Sequence, residues 1–481
     1  MLFNSLAYAA FLPAAVAGYF VLPQVWRIPW IVALSCYFYS VYRPEYLLIL
    51  VALIAIDYSA GLLIEGAPRQ RARWYLLVSV MATCAVLGVF KYFNFISKSL
   101  ATAAGWAGAT IAAPELDWAL PIGLSFHTFQ SLAYVIEVYR GRQTAERNPI
   151  IYAAYVLFFP QLVAGPIERP GHMLHQFRER HQFDAERVYE GLRRIVWGLF
   201  KKAVIADRLA LLVNDVYGEP SSYDGFYLSL ATVAFAYQVY CDFSGYSDMA
   251  LGSAQILGYR LSENFDAPFS ASSTGELWRR WHISLSSWFR DYVFIPMGGS
   301  RGSAWRTAVN YLATFGLSGL WHGANWTFVI WGVLNGLYLI AGKITEPLRR
   351  RIWQLVGLSF DHPLRTAIGT TVTFCLFTIS LVLFRATSLD QATEIFSSIG
   401  YNWHFHRVID TPRFDMFQCK IVLAALALLE AVQWVLRRPG LAARFEAMPS
   451  PVLVFSDVAL ALATFLFGVY FATGTFIYFQ F

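Results

Sequence analysis

The chain of 481 residues is 57% hydrophobic, 17% aromatic and only 14% charged, with a mean hydropathy of +0.46. That composition excludes a water-soluble globule and places the chain in a lipid bilayer. The formal net charge of +6 calls for no nucleic-acid partner, because basic residues between apolar spans mostly meet the lipids of the cytoplasmic leaflet.

A spanning helix takes about 20 apolar residues. Candidate spans recur at residues 6–22, 28–42, 46–64, 74–90, 120–139 and 150–165, and again at 226–240, 307–320, 326–342, 366–384, 420–436 and 452–471. Several are shorter than a full crossing, which predicts tilted, broken or re-entrant helices held inside protein, with about 11 to 13 embedded helices in all. The first basic residue, Arg27, follows the first span. That span therefore lacks the charged start of a cleavable signal, although Ala15-Val16-Ala17 imitates a cleavage site, and it is expected to be retained. If each of the first three spans crosses once, Arg27 and the cluster Arg69, Arg71 and Arg73 lie on one side, which places the N-terminus outside. The five cysteines are scattered without Cys-x-x-Cys spacing, so neither a disulfide framework nor a metal cage is expected.

Three stretches depart from membrane composition. Residues 112–117 read as an exposed loop. Residues 168–208 carry Arg169, Arg178, Arg180, Arg187, Arg193, Arg194, Lys201, Lys202 and Arg208 among apolar residues. This pattern predicts interfacial helices with basic side chains toward headgroups; the same face fits the phosphates of an acyl-coenzyme A donor. His172, His175 and His181 in this setting are expected to be exposed.

The third stretch, 262–306, begins with a capping box. Ser273 followed by Glu276 predicts a helix from Thr274. Continued at about 100° per residue, that helix puts Trp278, His282, Leu285 and Phe289 on one face, with Glu276, Arg279, Arg280 and Arg290 opposite. Met297-Gly298-Gly299-Ser300-Arg301-Gly302 lacks the ending of a phosphate-binding P-loop and reads as a turn. His322, between Trp321 and Gly323, closes the apolar run 307–320. A histidine among small neighbours fits general-base chemistry, since its unperturbed pKa of about 6.5 lets it take a proton near neutral pH. No Gly-x-Ser-x-Gly elbow occurs, which disfavours a serine hydrolase. His404-Phe405-His406 has no third ligand at metal-like spacing and reads as a loop pair. The intramembrane acids Asp57 and Glu137 are expected to pair with arginine or hydroxyl groups.

Four segments carry a resemblance. Residues 320–331, the run Tyr240-Cys241-Asp242-Phe243-Ser244-Gly245-Tyr246-Ser247-Asp248, residues 278–302 and the terminal Phe476-Ile477-Tyr478-Phe479-Gln480-Phe481 resemble the bacterial membrane-bound O-acyltransferases. The similarity is to the branch that O-acetylates alginate and peptidoglycan, and it runs from Met1 to Phe481. It implies an all-α polytopic fold, a ring of helices around a central tunnel through a thinned membrane. One membrane domain is expected over 1–481, made of N-terminal helices (1–165), basic interfacial helices with the His282 segment (166–306), the His322 core (307–342) and C-terminal helices with the Tyr478 motif (343–481).

The resemblance further implies His322 as the catalytic histidine, His282 as the second active-site polar residue, and a terminal tyrosine, Tyr478, at the outer mouth of the tunnel. Tyr478 fits an acyl relay, because a phenol accepts an acyl group as an ester and is a good leaving group; direct attack by the acceptor hydroxyl under His322 is the alternative. Asp242, Asp248, Trp278, Arg279, Trp321 and Asn325, which lie in the matching segments, are expected to bind or orient substrate. The implied reaction moves an acyl group, foremost acetyl, from acetyl-coenzyme A or another cytosolic thioester across a bacterial inner membrane, for O-acylation of an exported or cell-wall polysaccharide. No bound cofactor and no metal are implied. A periplasmic or cell-surface SGNH/GDSL-type acetyltransferase is the implied partner that reaches the glycan. D-alanyl transfer and, in another class, a transporter or flippase are the rival readings.

Overall fold

The structure is a computed structural model that describes residues 1–470 apart from 42, 164, 358, 360, 361 and 407, together with Phe476; at 445 and 446 it describes the backbone alone. The described chain is helical, and its only pairing of extended residues is an isolated bridge between Thr411 and Phe414. In chain order the helices are α1 (Leu6–Val21), α2 (Gln24–Ser40), α3 (Glu45–Glu65), α4 (Arg69–Leu87), α5 (Phe93–Trp106), α6 (Leu124–Tyr139) and α7 (Pro149–Leu157). Then come α8 (Pro170–Met173), α9 (Ala185–Leu199), α10 (Asp207–Gly218), α11 (Gly225–Leu257), α12 (Thr274–Arg280), α13 (Ile283–Phe289) and α14 (Ala304–His322). The chain ends with α15 (Trp326–Ile344), α16 (Glu346–Leu355), α17 (Pro363–Arg385), α18 (Leu389–Tyr401), α19 (Met416–Leu436), α20 (Pro439–Glu446) and α21 (Ser450–Phe467).

Six helical stretches among the described residues are long and apolar enough to cross a membrane: α3, α4 continued through α5, α15, α17, α19 and α21. They were all legible as hydrophobic runs. α1 is apolar but shorter. The expected span 150–165 is not one helix: α7 ends at Leu157, and Phe158 turns away with extended ψ. The expected span 226–240 is the first half of the 33-residue α11.

Two compact units form, Met1–Ile195 with Met249–Ser262, and Val196–Asp248 with Glu263–Phe481. In the first, α3, α4 and α6 pack on one another and α2 packs on α7. Its buried and half-buried acids are paired as their charge requires. Asp57 accepts a hydrogen bond from the Ser79 hydroxyl at 2.5 Å and Glu137 pairs with Arg140 at 3.1 Å. Glu168, fully buried, accepts from Ser262 and from His172 Nδ1 at 2.6 Å; that bond holds the His172 imidazole above its usual range. His181 is not exposed as expected, because its ring packs on Tyr259 and its Nε2 meets the Gln176 carbonyl at 3.0 Å.

The basic stretch also departs from expectation in the second unit. α9 is the expected amphipathic helix, but Lys201, Lys202 and Arg208 beyond it are buried rather than turned to headgroups. A wide turn, Phe200–Ala206, re-aims the lysines toward carboxylates on α11.

Candidate active site

His322 is the last residue of α14, and the packing of α14 on α15 fixes where it stands. Ser303 caps the start of α14 by accepting from the Arg306 N–H, and Asn325 does the same for α15 with the Thr327 N–H. Between the caps the two helices touch backbone to backbone. A Cβ on Gly319 would strike the Phe328 carbonyl, and one on Gly332 would strike that of Phe315. Small residues at such a crossing let helices approach closely without a driving force from lipid. The result is a histidine only 5% exposed, edge-on to Trp331 (5.2 Å) and Phe384 (5.3 Å).

His282 is delivered by a break. The expected helix starts at Thr274 under its Ser273 cap, although the Glu276 carboxylate reaches the N–H of Ser272 rather than closing the box on Ser273. It ends at Arg280. His282 then adopts φ 44° and ψ 55°, the left-handed region, and a second short helix begins at Ile283. The single-face reading of Trp278, His282, Leu285 and Phe289 is thereby overturned. A non-glycine residue in that region costs roughly 1–2 kcal/mol and persists only when neighbours hold it.

Asn264 does the holding. Its carbonyl oxygen accepts from the Ile283 N–H at 2.9 Å, and its Oδ1 accepts from the Ser284 hydroxyl at 2.9 Å and from His282 Nδ1 at 3.1 Å. Its own amide donates to Ser247 at 3.2 Å, which fixes the orientation of the group. With Nδ1–H donating to Asn264, the neutral ring carries its basic lone pair on Nε2. Burial, and then the neighbouring His322, hold the His282 imidazole well below its usual pKa and therefore neutral. Nothing in the spacing of Asn264 marked it, since an asparagine 18 positions upstream joins this site only through the tertiary fold.

Both histidines line one cavity of about 1090 Å³, and so do Trp278 and Arg279. The cavity has two characters. His282 and His322 are nearly buried and surrounded by rings, whereas Arg279, Arg290, Lys343 and Arg349 are exposed, and Arg365 joins them on the lining. One acid, Glu346, shares that lining and is paired with Arg350 at 2.6 Å. The arrangement suits a ligand with an anionic head and a short uncharged end carried to a neutral histidine.

The remaining expected site residues stand elsewhere. Trp321 is buried against both histidines, 4.9 Å from the His322 ring and 6.3 Å from that of His282. Asn325 caps α15 and donates to the Thr387 carbonyl at 3.0 Å. Asp242 pairs with Lys202 at 2.5 Å and Asp248 with Lys201; Lys202 also meets Asp207 at 2.7 Å, and Lys201 donates to Ser244 at 3.0 Å. Burial alone would lower the Lys202 pKa, but the two carboxylates outweigh it and raise it. This cluster stiffens the segment of α11 that carries Phe243, whose ring lies 4.6 Å from His282. Phe476 is buried on the same segment, 4.7 Å from Tyr246 and 5.9 Å from Phe243. Tyr478 lies outside the described residues. His404 and His406 sit in a loop as expected, both directed at Asp224, and no group of three possible ligands among the described residues is arranged to hold a metal ion.

The sequence profile of the membrane-bound O-acyltransferase family matches residues 89–384. The chain belongs to this family. It is accordingly a membrane O-acyltransferase with an all-helical, multi-pass fold. It is 38% identical over 409 residues to the probable alginate O-acetylase AlgI of Pseudomonas aeruginosa, covering 83% of this chain and 75% of that one. To the Pseudomonas putida protein of the same name it is 34% identical over 470 residues, 96% and 93% of the two chains. To the peptidoglycan O-acetyltransferase of Helicobacter pylori it is 31% identical over 436 residues, 84% and 80% of the two chains. Family membership sets aside the transporter reading.

Proposed function

We propose that this acyltransferase moves an acetyl group from acetyl-coenzyme A in the cytosol to an exported or cell-wall polysaccharide, with His322 as general base and Tyr478 as acyl relay. The observation that carries the reading is the cavity itself: exposed arginine and lysine side chains at its surface and two buried, ring-enclosed histidines within. Phosphates of the donor meet the cations, and the thioester reaches His322. The names of the relatives, alginate and peptidoglycan O-acetylating proteins, support a polysaccharide acceptor and an acetyl group over D-alanine.

In the first half-reaction the Tyr478 hydroxyl attacks the thioester carbonyl while His322 takes the phenolic proton. The carbon–sulfur bond breaks, and the thiolate leaves with that proton. In the second half-reaction an acceptor hydroxyl attacks the aryl ester as a base takes its proton, and the departing phenolate receives that proton, so that Tyr478 is restored. His282, fixed by Asn264, orients the carbonyl from the opposite side. The buried contacts of the Phe476 ring with Phe243, and of Phe243 edge-on with His282, support bringing the chain end to this chamber two residues before Tyr478.

The orientation follows from charge. Lys343 lies in the last turn of α15 and Arg349, Arg350 and Arg351 follow it, and Arg437, Arg438 and Arg444 follow α19, two crossings later. Both clusters belong on the cytoplasmic side, with Arg69, Arg71 and Arg73. The single further crossing by α21 then delivers the C-terminal motif to the outer face of a bacterial inner membrane. With that parity the N-terminus is extracytoplasmic. From there an SGNH/GDSL-type partner carries the acetyl group to the glycan.

Intact protein incubated with radiolabelled acetyl-coenzyme A is expected to carry a base-labile label on its C-terminal peptide, and Tyr478→Phe to lack it. Phenylalanine keeps the apolar ring and removes only the hydroxyl. Full glycan acetylation by the Tyr478→Phe protein would eliminate the relay in favour of direct attack on the donor, and labelling only with a D-alanyl thioester would replace acetyl as the group transferred.

A further inference from the structure

The acyl-transfer reading leaves open what sets the length of the acyl group, and the walls of the chamber bear on this directly. Behind the two histidines the packing is solid: Trp281, Trp321, Trp331, Phe377 and Phe384 are each at most 5% exposed. Trp331 stands edge-on to His322 at 5.2 Å and packs on Phe384 at 5.0 Å, and Trp281 meets Phe377 at 4.9 Å. Interiors packed this way do not open to admit extra methylenes without displacing several rings at once. An acyl tail held with its carbonyl at His322 therefore finds no room on that side.

Trp278 and Phe315 differ from these. Both line the cavity, both keep part of their surface open, and their rings meet in an edge-to-face contact at 5.2 Å. Trp278 comes from the end of the seven-residue α12 and Phe315 from the middle of α14, so the contact spans two elements and narrows the space between them. The Trp278 ring is also 5.9 Å from Trp331, one ring removed from His322. Their chain neighbours on the lining, Gly275, Thr314 and Ser318, are small, so at this place the two aromatic side chains supply the bulk of the wall.

We propose that the Trp278–Phe315 contact is the acyl-length stop of this enzyme, admitting the methyl of an acetyl group and excluding tails of several methylenes. The inference rests on the acyl-transfer reading. Its chemistry is exclusion by shape: removing either ring opens the space in which further methylenes lie, while the histidines and the cation-lined surface stay as they are. A hydrophobic pocket discriminates a single methylene by roughly 10–200-fold, so the loss of a stop measured over several methylenes is readily visible in relative rates.

The test compares full-length protein in lipid nanodiscs with acetyl-, butyryl- and hexanoyl-coenzyme A, reading free coenzyme A by chromatography in the presence of acceptor membranes. For the unaltered chain the hexanoyl rate is expected to be at least about 100-fold below the acetyl rate. Phe315→Ala is expected to raise the hexanoyl-to-acetyl ratio at least about tenfold with the acetyl rate kept within a few-fold, and Trp278→Ala to raise the same ratio at least about tenfold whatever its acetyl rate. Trp278→Leu and Phe315→Leu repeat the measurement with less loss of packing should an alanine variant fail to fold. Equal rates for all three donors in the unaltered chain overturn the inference, and so does a parallel fall of all three rates in folded variants. Those results leave acetyl transfer standing. Release of coenzyme A from none of the donors by the unaltered chain would remove the donor reading, and the inference with it.

Discussion

Two of the chain's three Trp-His dipeptides, Trp281-His282 and Trp321-His322, supply the histidines of the cavity, and the fold treats them in opposite ways. His322 rides at the end of a 19-residue helix that is capped by Ser303 and locked to α15 through Gly319 and Gly332. Its position follows from regular structure. His282 sits at a left-handed break between two seven-residue helices, held there by four hydrogen bonds from its segment to Asn264. The first arrangement spends no strain and leaves the ring set by helix packing. The second stores strain to turn Nδ1 of the ring toward the Asn264 amide. The difference suggests a division of labour, with His322 as the base and His282 as the oriented neighbour.

Substitution separates the two roles. His322→Ala is expected to reduce acyl transfer by roughly 10²-fold or more while leaving membrane insertion and thermal stability close to normal, because general-base catalysis is worth about that much. Assays of purified, folded variant measure it, and near-normal turnover would remove His322 from the mechanism. His282→Asn is expected to cost less, about tenfold, since asparagine tolerates the left-handed conformation and only the imidazole is lost. If His282→Asn proves the more damaging of the two in protein of equal stability, the assignment of base and neighbour must be exchanged.

Removing the support tests the strained arm alone. Asn264→Ala takes away the acceptor for His282 Nδ1 and for the Ser284 hydroxyl, both buried, and is expected to destabilise the protein by about 1–3 kcal/mol. His322→Ala, which leaves the Ser303 cap and the glycine crossing of α14 on α15 in place, is the reference in a thermal unfolding series in detergent.

The smallest expected effect is in pH. Because the folded-state pKa of His282 lies well below its ordinary value, the unfolded chain binds a proton near pH 6.5 that the folded chain refuses. The contribution of His282 to stability is full above about pH 6.5 and is lost as pH falls below it toward the folded pKa. His282→Asn should therefore flatten the decline of stability between about pH 6.5 and 5. An unchanged slope would mean that the ring takes up its proton in the folded chain.

Much of the architecture was open to reading from residues alone, and the failures share a cause. The long apolar runs became the helices of α3, α15, α17, α19 and α21, and Ser273 capped α12 where the pattern placed it. Continuing that helix through His282 failed, because periodicity carries no information about a left-handed residue imposed by a partner 18 positions away. The same limit hid Lys201 and Lys202. A basic residue near the end of an amphipathic helix reads as a headgroup contact until the fold supplies Asp207, Asp242 and Asp248 beside it. Asp57 was the reverse case: its need for a partner was evident from its burial in an apolar run, and the partner was a serine hydroxyl.

By itself the sequence determined that this chain lives in a membrane, that it is helical, and that its polar residues in apolar surroundings mark a site. Those properties depend on composition and on the short period of the helix, which neighbouring residues settle among themselves. Tertiary structure alone decided that His282 and His322, 40 positions apart, line one cavity, which tautomer Asn264 imposes, and which cations stand at the cavity surface. These depend on contacts between distant segments, where glycine crossings, buried ion pairs and ring packing set distances that no local pattern encodes.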